Sequence, residues 1–424
     1  MSCAFFKIIE HRVPCQHIRE YPRGTAHTQE DVLYLAVKQY IPKNRSNLEP
    51  GDVTIIGAHA NGFPKELYEP MWDEVLQCST KLGFRIRSIW IADVAQQGAS
   101  GVLNEEKLGD EPGWDDHTRD LLQMINQFRV EMPRPIVGIG HSMGGCQLTN
   151  LALIHPRLFT TLILLDPVLG STWDSPAGSS PARPSTFRRD LWPSREEAIA
   201  SHKRNKFYQV WDRRVLDLWL KYGLRDLPTL LYPGTYSTEA GKCVTLTTTK
   251  LQENHTFVRE NFDAQIKDGK AIENRTRNPD LGPERFEGVY PFYRPEPVRT
   301  MNTLPFIRPS VLYIFGGLSS MSGPKSRKKK LNITGSGTGG SGGVKEGKVQ
   351  GIVLEKHGHL IAMETPKACA EGISRWIGKE LLQWRDEEQR FKEWTQTPLH
   401  EKLTLSEEWK QHMNWDGRSQ KAKI

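Results

Sequence analysis

Three side chains stand where nucleophilic catalysis would need them: Ser142, His359 and Asp166. Ser142 is the centre of Gly140-His141-Ser142-Met143-Gly144-Gly145. The apolar Pro135-Ile136-Val137 precedes it, and the helix-compatible Cys146-Gln147-Leu148-Thr149-Asn150-Leu151 follows. Gly-x-Ser-x-Gly between a strand and a helix is a nucleophile elbow, a tight turn that lifts the serine hydroxyl clear of the backbone. A serine hydroxyl is a poor nucleophile at neutral pH and needs a base, usually histidine, to take its proton. His359, in Gly358-His359 followed by Glu364-Thr365-Pro366, is the expected base, and His357 is its rival two residues earlier. Asp166 closes the apolar run Thr161-Leu162-Ile163-Leu164-Leu165 and keeps the chain order Ser, Asp, His. The other usual place for the acid, after Val311-Leu312-Tyr313-Ile314-Phe315, holds no carboxylate through Met321.

A tetrahedral oxyanion needs N–H donors. One is expected from Met143, the residue after the nucleophile, and the other from Ala60 or Asn61 in the loop His59-Ala60-Asn61-Gly62-Phe63. That loop follows the buried strand Val53-Thr54-Ile55-Ile56-Gly57. The resulting chemistry is acyl transfer to serine and then to water, with no metal and no redox cofactor.

Strands alternate with helices of 10 to 20 residues around these motifs. The pattern implies an α/β fold with a mostly parallel, doubly wound sheet, whose ligand site lies at the carboxyl ends of the strands. Extended segments near residues 17–21 and 32–40 suit leading antiparallel strands, and helices are expected over 66–82 and 114–128. About 140 residues separate Asp166 from the next core strand, too many for a bare connection. They are expected to form a mainly helical cap. The expected division is a core over 1–170, the cap over 171–305, a second part of the core over 306–383, and a tail over 384–424. In the cap, Ser194 and Glu197 form a capping box, and Phe207, Trp211, Val215 and Trp219 fall near one helix face. That stripe suits the core of the cap, with Trp211 and Trp219 as candidate walls of an acyl pocket. Residues 323–349 combine the basic run Lys325-Ser326-Arg327-Lys328-Lys329-Lys330 with a glycine-rich tract. This is expected to be a flexible, solvated loop, or a cationic arm on which Lys325 and Arg327 meet an anionic substrate. It is no phosphate-binding loop, because the strand-like Lys348-Val349-Gln350-Gly351-Ile352 follows where a helix would be required.

The 424 residues are 37% hydrophobic and 25% charged, with a net charge of +7. Dispersed basic residues argue against a nucleic-acid partner, and no apolar run reaches the length of a membrane span. Six widely spaced cysteines lack metal-binding spacing and read as reduced thiols. The first residues do not resemble a secretory signal. Ala422-Lys423-Ile424 has the small, basic, aliphatic pattern of a peroxisomal address, so an import receptor is an expected partner and the peroxisomal matrix the expected location. The oligomeric state is left open, a homodimer being one option. The aromatic tail residues Trp384, Phe391 and Trp394 are expected to fold back on the body, with partner binding as the alternative.

On these residues the chain resembles the fungal peroxisomal α/β-hydrolases of secondary metabolism, in particular the type I acyl-CoA thioesterases of mycophenolic acid biosynthesis. The matching features are His59-Ala60-Asn61-Gly62-Phe63, the elbow, Leu165-Asp166-Pro167, the 334–343 glycine tract before Gly358-His359-Leu360, and the terminal tripeptide. The resemblance implies an acyl-CoA substrate and the roles of nucleophile, acid and base for Ser142, Asp166 and His359. A carboxylesterase or lipase acting on an oxygen ester with the same three residues is the alternative.

Overall fold

Eight strands build one sheet: β1 (Phe6–Pro14), β2 (Tyr34–Pro42), β3 (Val53–Ala58), β4 (Ile86–Ala92), β5 (Ile136–His141), β6 (Thr161–Leu165), β7 (Ser310–Gly316) and β8 (Val349–Leu354). Their spatial order is β1-β2-β4-β3-β5-β6-β7-β8. The β1–β2 and β2–β4 pairs are antiparallel, and the remaining pairs are parallel. The computed structural model describes residues 2–43, 47–170, 181–234, 237–238, 241–262, 265–267, 270–272, 278–280 and 291–413. Every residue of β3, β5, β6 and β7 is buried, as expected for parallel strands covered on both faces. Ala58 aligns with Gly140, His141 with Leu165, and Leu165 with Ile314, so four strands end at one level of the sheet. Loops leaving those ends therefore meet.

The first strand is not at 17–21 but at Phe6–Pro14. The later segment is held by side chains rather than by a strand partner. The N–H groups of Gln16 and Glu20 donate to the carboxylates of Asp120 and Asp116, and Arg19 pairs with both acids. Those aspartates lie on the helix Trp114–Gln127, which matches its expected span closely.

Residues 1–378 form one compact unit and 379–424 a second. In the first, the cap mixes helices with a small antiparallel sheet of Leu191–Trp192, Val244–Leu246 and Leu224–Asp226. Helices still outweigh strands among its described residues, as expected. Ser194 does cap its helix, accepting from the Glu197 N–H. The aromatic stripe is divided between two helices, Lys206–Gln209 with Phe207 and Arg213–Tyr222 with Val215 and Trp219, and Trp211 lies in the break before Asp212 caps the second. The core also resumes before residue 306. The helix Glu296–Thr303 lies on the elbow helix, with Thr300 Oγ1 2.9 Å from Asn150 Oδ1 and Met301 buried in the core.

The expected flexible loop at 323–349 is a folded element. Pro324–Ile333 is a helix, on which Arg327, Lys330, Leu331 and Thr334 share the i, i+3, i+4, i+7 face turned inward, while Lys325, Lys328 and Lys329 are exposed. Composition alone hid this periodicity. The glycine tract is pinned by backbone bonds: Gly335, Gly337 and Ser341 donate to Leu304, Pro305 and Ile307. In the second unit, Phe391 and Trp394 stack with ring centroids 5.5 Å apart. Residues 422–424, which carry the targeting pattern, lie outside the described residues. Among the described residues no helix is long and apolar enough to cross a membrane.

Candidate active site

At the end of β5 the chain turns into the helix Met143–Ile154 through Ser142, whose φ of 57° and ψ of −115° are costly for a residue with a side chain. The flanking glycines make the turn possible. A Cβ on Gly140 would sit 2.5 Å from the carbonyl oxygen of Gly144, and one on Gly144 would collide with that of Ala58. The Ser142 N–H donates to Leu165 O at 3.0 Å, and its carbonyl accepts from Gly145 and Val168 at 3.1 Å each. Both neighbouring segments therefore hold the strained residue.

His359 Nε2 lies 2.8 Å from Ser142 Oγ, and His359 Nδ1 lies 2.6 Å from Asp166 Oδ2. These three residues, 193 and 217 positions apart in the chain, form one line of hydrogen bonds. Asp166 follows β6 with φ 39°, its N–H donating to Ile314 O at 2.8 Å. Its carboxylate also accepts from Ser319 Oγ, at 2.5 Å to Oδ2, and from Ser322 Oγ at Oδ1. Burial raises the Asp166 pKa, but the hydrogen bond and charge of His359, joined by the two serines, outweigh it and hold the carboxyl below its ordinary value. It stays ionised beside the imidazole. His357 is turned to Glu364 instead, 3.5 Å from Nδ1 to Oε2, and the same carboxylate accepts from the Gly358 N–H at 2.8 Å. His359 alone reaches the serine.

Of the two expected donors on the β3 loop, Ala60 is corrected: its N–H is engaged by Tyr68 Oη at 2.8 Å. The N–H groups of Asn61 and Met143 are not engaged by another group among the described residues. Met143 opens its helix, where N–H groups have no intrahelical acceptor. The Asn61 side chain is locked to the cap, Nδ2 donating to Glu253 O at 3.0 Å and Oδ1 accepting from Gln97 Nε2 at 2.5 Å. Gln97 Oε1 in turn accepts from the Gly62 N–H at 2.7 Å.

Trp211 and Trp219 are buried edge-on to Phe63 of the same loop, with centroids 5.5 and 5.9 Å apart. They join cap to core. Arg327 turns three of its donors to the protein, Nε to Ser322 O and Nη2 to Gly316 O and Gly317 O. It is a clamp on the loop that carries Ser319 and Ser322. Lys325 is exposed on the outer face of that helix. Ser319, Ser322, Gln97 and Tyr68 are site residues that the sequence reading does not name, and Arg327 stands at the site in another role than the expected one. The sequence signal for the serines is their place after β7, where an acid was sought.

The fold is a parallel-centred sheet with an elbow serine and a histidine bridging it to an aspartate, and the chain belongs to the alpha/beta hydrolase family, whose profile matches residues 55–372. It is 44% identical to the type I acyl-CoA thioesterase mpaH' of Penicillium brevicompactum, over 96% of this chain and 95% of that one. It is 42% identical to the type I acyl-CoA thioesterase mpaH of Penicillium roqueforti, over the same shares. Among solved structures, the fold is similar to the peroxisomal alpha-beta-hydrolase Lpx1 of Saccharomyces cerevisiae, with a TM-score of 0.66, 18% identity, and coverage of 96% of this chain and 95% of that one.

Proposed function

We propose that this chain hydrolyses the acyl-CoA thioester of a secondary metabolite, a mycophenolic-acid-like aryl or terpenoid acyl group, to the free acid and CoA. The observation that carries the reading is the His359 ring within hydrogen-bond distance of both Ser142 and Asp166. The thioester is chosen over an oxygen ester because the Penicillium relatives bear the thioesterase name over nearly the whole chain.

Ser142 Oγ attacks the thioester carbonyl carbon while His359 Nε2 takes the hydroxyl proton. The negative oxygen is stabilised by the N–H groups of Met143 and Asn61, and Asp166 stabilises the imidazolium without taking its proton. Collapse breaks the C–S bond, and the CoA thiolate leaves with the proton from His359. In the second half, His359 takes a proton from water as the water oxygen attacks the acyl-serine. The free acid departs when Ser142 Oγ is released and reprotonated by His359. Recognition of residues 422–424 by a peroxisomal import receptor belongs to the same proposal and rests on their residue pattern.

The test is thiol release from a panel of aryl- and terpenoid-acyl-CoAs, with Ser142→Ala as control. Turnover by the unmodified chain and its loss in the variant support the reading. Cleavage of simple oxygen esters with no thiol released from any acyl-CoA would make it a carboxylesterase. A fluorescent fusion with and without residues 422–424 tests the location: import that does not depend on them removes that part.

A further inference from the structure

Below the elbow, Ala60, Tyr68, His141 and His359 are linked by three hydrogen bonds, the first two buried and the third partly so. The Ala60 N–H donates to Tyr68 Oη at 2.8 Å, Tyr68 Oη lies 2.8 Å from His141 Nδ1, and His141 Nε2 lies 3.0 Å from the carbonyl oxygen of His359. The Tyr68 and His141 side chains are 2% and 0% exposed. Every proton in this chain has one possible place. A carbonyl oxygen only accepts, so His141 Nε2 carries a hydrogen. A backbone N–H only donates, so the Tyr68 oxygen receives it, and the phenolic hydrogen points to a bare Nδ1. The neutral ring protonated at Nε2 satisfies all three bonds. A second proton on His141 would face the Tyr68 oxygen and strand the phenolic hydrogen in a buried space. The titratable groups acting on the ring are His359, Asp166 and His59, besides Tyr68 in contact. Burial first, and His359 second, hold its pKa down to about 3.

We propose that Tyr68 and His141 are positioning residues that hold the oxyanion loop and the base in register with the nucleophile. His141 precedes Ser142 in the chain and fixes the backbone of His359. Tyr68 takes the Ala60 N–H, which orients that peptide and leaves Asn61 as the loop's free donor. One short path thus ties β3, β5 and the loop after β8 together at the level of the serine. The inference rests on Ser142, Asp166 and His359 acting as the catalytic set. Its value to the reaction is geometric, since a misplacement of roughly 1 Å can cost on the order of 100-fold in rate.

Two measurements on the full chain decide it. The first is ring 15N NMR of selectively labelled histidine, with the His141 signals assigned by their loss in His141→Gln. The expected ring is neutral and protonated at Nε2 from about pH 5 to about pH 9; a ring that titrates there, or carries its proton on Nδ1, overturns the inference. The second is hydrolysis of p-nitrophenyl butyrate. Tyr68→Phe is expected to lower kcat about 100-fold with KM changed less than about threefold. His141→Gln, which keeps an N–H for the His359 carbonyl, is expected to retain about tenfold more activity than His141→Leu. A fully active Tyr68→Phe, or equal losses in the Gln and Leu variants, overturns it. Should Tyr68→Phe fail to fold, the tautomer of the unmodified chain still decides. An active Ser142→Ala removes the catalytic reading and this inference with it, whereas an inactive Ser142→Ala beside an active Tyr68→Phe removes the inference alone.

Discussion

The Ser319 hydroxyl donates to Asp166 Oδ2 at 2.5 Å, the same oxygen that receives Nδ1 of His359 at 2.6 Å. Asp166 leaves β6 and Ser319 follows β7, so the acid is supplied by one strand and solvated by the next. A hydrogen bond to a charged group contributes about 1.5–3 kcal/mol. Ser319→Ala is expected to lower kcat/KM by about tenfold and to move the acid limb of the pH–rate profile upward, as the carboxylate loses a donor. An unchanged profile would show that Ser322 and His359 suffice.

Asp166→Asn keeps the shape and removes the charge. In hydrolases with this triad the equivalent change lowers kcat by about 10,000-fold, and a similar loss is expected here. Stability supplies an independent check. The folded carboxyl lies below its unfolded value, so its contribution is fully present above the unfolded pKa, near 4, and is lost as pH falls through the folded one. The gap in Tm between the unmodified chain and Asp166→Asn should therefore be widest near neutrality and close in acid.

Lys330 is fully buried, with Nζ 3.1 Å from Pro167 O just beyond the acid. Burial lowers its pKa to about 8, against the pull of Asp166 and with the push of Arg327. The unfolded chain binds more protons between about pH 8 and about pH 10.5, so this group makes stability rise with pH across that window. The full span corresponds to about 3 kcal/mol. Relative to the unmodified chain, Lys330→Met should lose that rise in chemical denaturation at increasing pH; parallel curves would show that Lys330 titrates elsewhere.

Arg327 and Lys325 lie on one helix with opposite tasks. Arg327→Ala removes donors to the carbonyls of Ser322, Gly316 and Gly317 and is expected to cost about 2–3 kcal/mol in denaturant unfolding, together with activity, by loosening the serines around Asp166. Lys325→Ala should leave stability within about 0.5 kcal/mol. A salt-sensitive rise in KM for acyl-CoA in that variant alone would give the exposed face a role in substrate attraction.

The cap docks on the loop after β3, where Asn61 Nδ2 donates to Glu253 O at 3.0 Å. Gln97 joins Asn61 and Gly62 to Thr256 on the cap helix Lys250–Phe257, its Nε2 lying 3.2 Å from Thr256 Oγ1. Gln97→Leu leaves the Gly62 N–H and the Asn61 side-chain oxygen Oδ1 without their partner. The expected loss is on the order of 10-fold to 100-fold in kcat and about 1–3 kcal/mol in stability. Activity lost with stability intact would mark the loop's geometry, rather than its burial, as what Gln97 maintains.

Much of the fold was legible because parallel strands buried on both faces are nearly continuous apolar runs, as β3, β6 and β7 are apart from Thr54, Thr161 and Ser310. The elbow was legible because its backbone demands glycine at fixed places around Ser142. Where side chains or helical phase did the work, the reading failed. The 17–21 segment is held by Asp116 and Asp120 from a distant helix. The 323–349 segment looked like a loop by composition, yet its inward face of Arg327, Lys330, Leu331 and Thr334 has helical spacing. The cap boundary slipped because Glu296–Thr303 packs on the elbow helix, a tertiary contact with no local sign.

By itself the sequence determined the parallel strands of the sheet, the elbow and the identity of the three residues now found in line, since local backbone geometry and strand burial constrain residue type directly. Only the tertiary structure decided that His359 rather than His357 faces Ser142, that Ala60 is taken by Tyr68 while Asn61 stays free, and that Arg327 serves the acid loop. Each of these depends on which groups meet across long stretches of chain. Hydrogen-bond partners within about 3 Å are set by packing, and a residue's type states what it can bond but not what it will find.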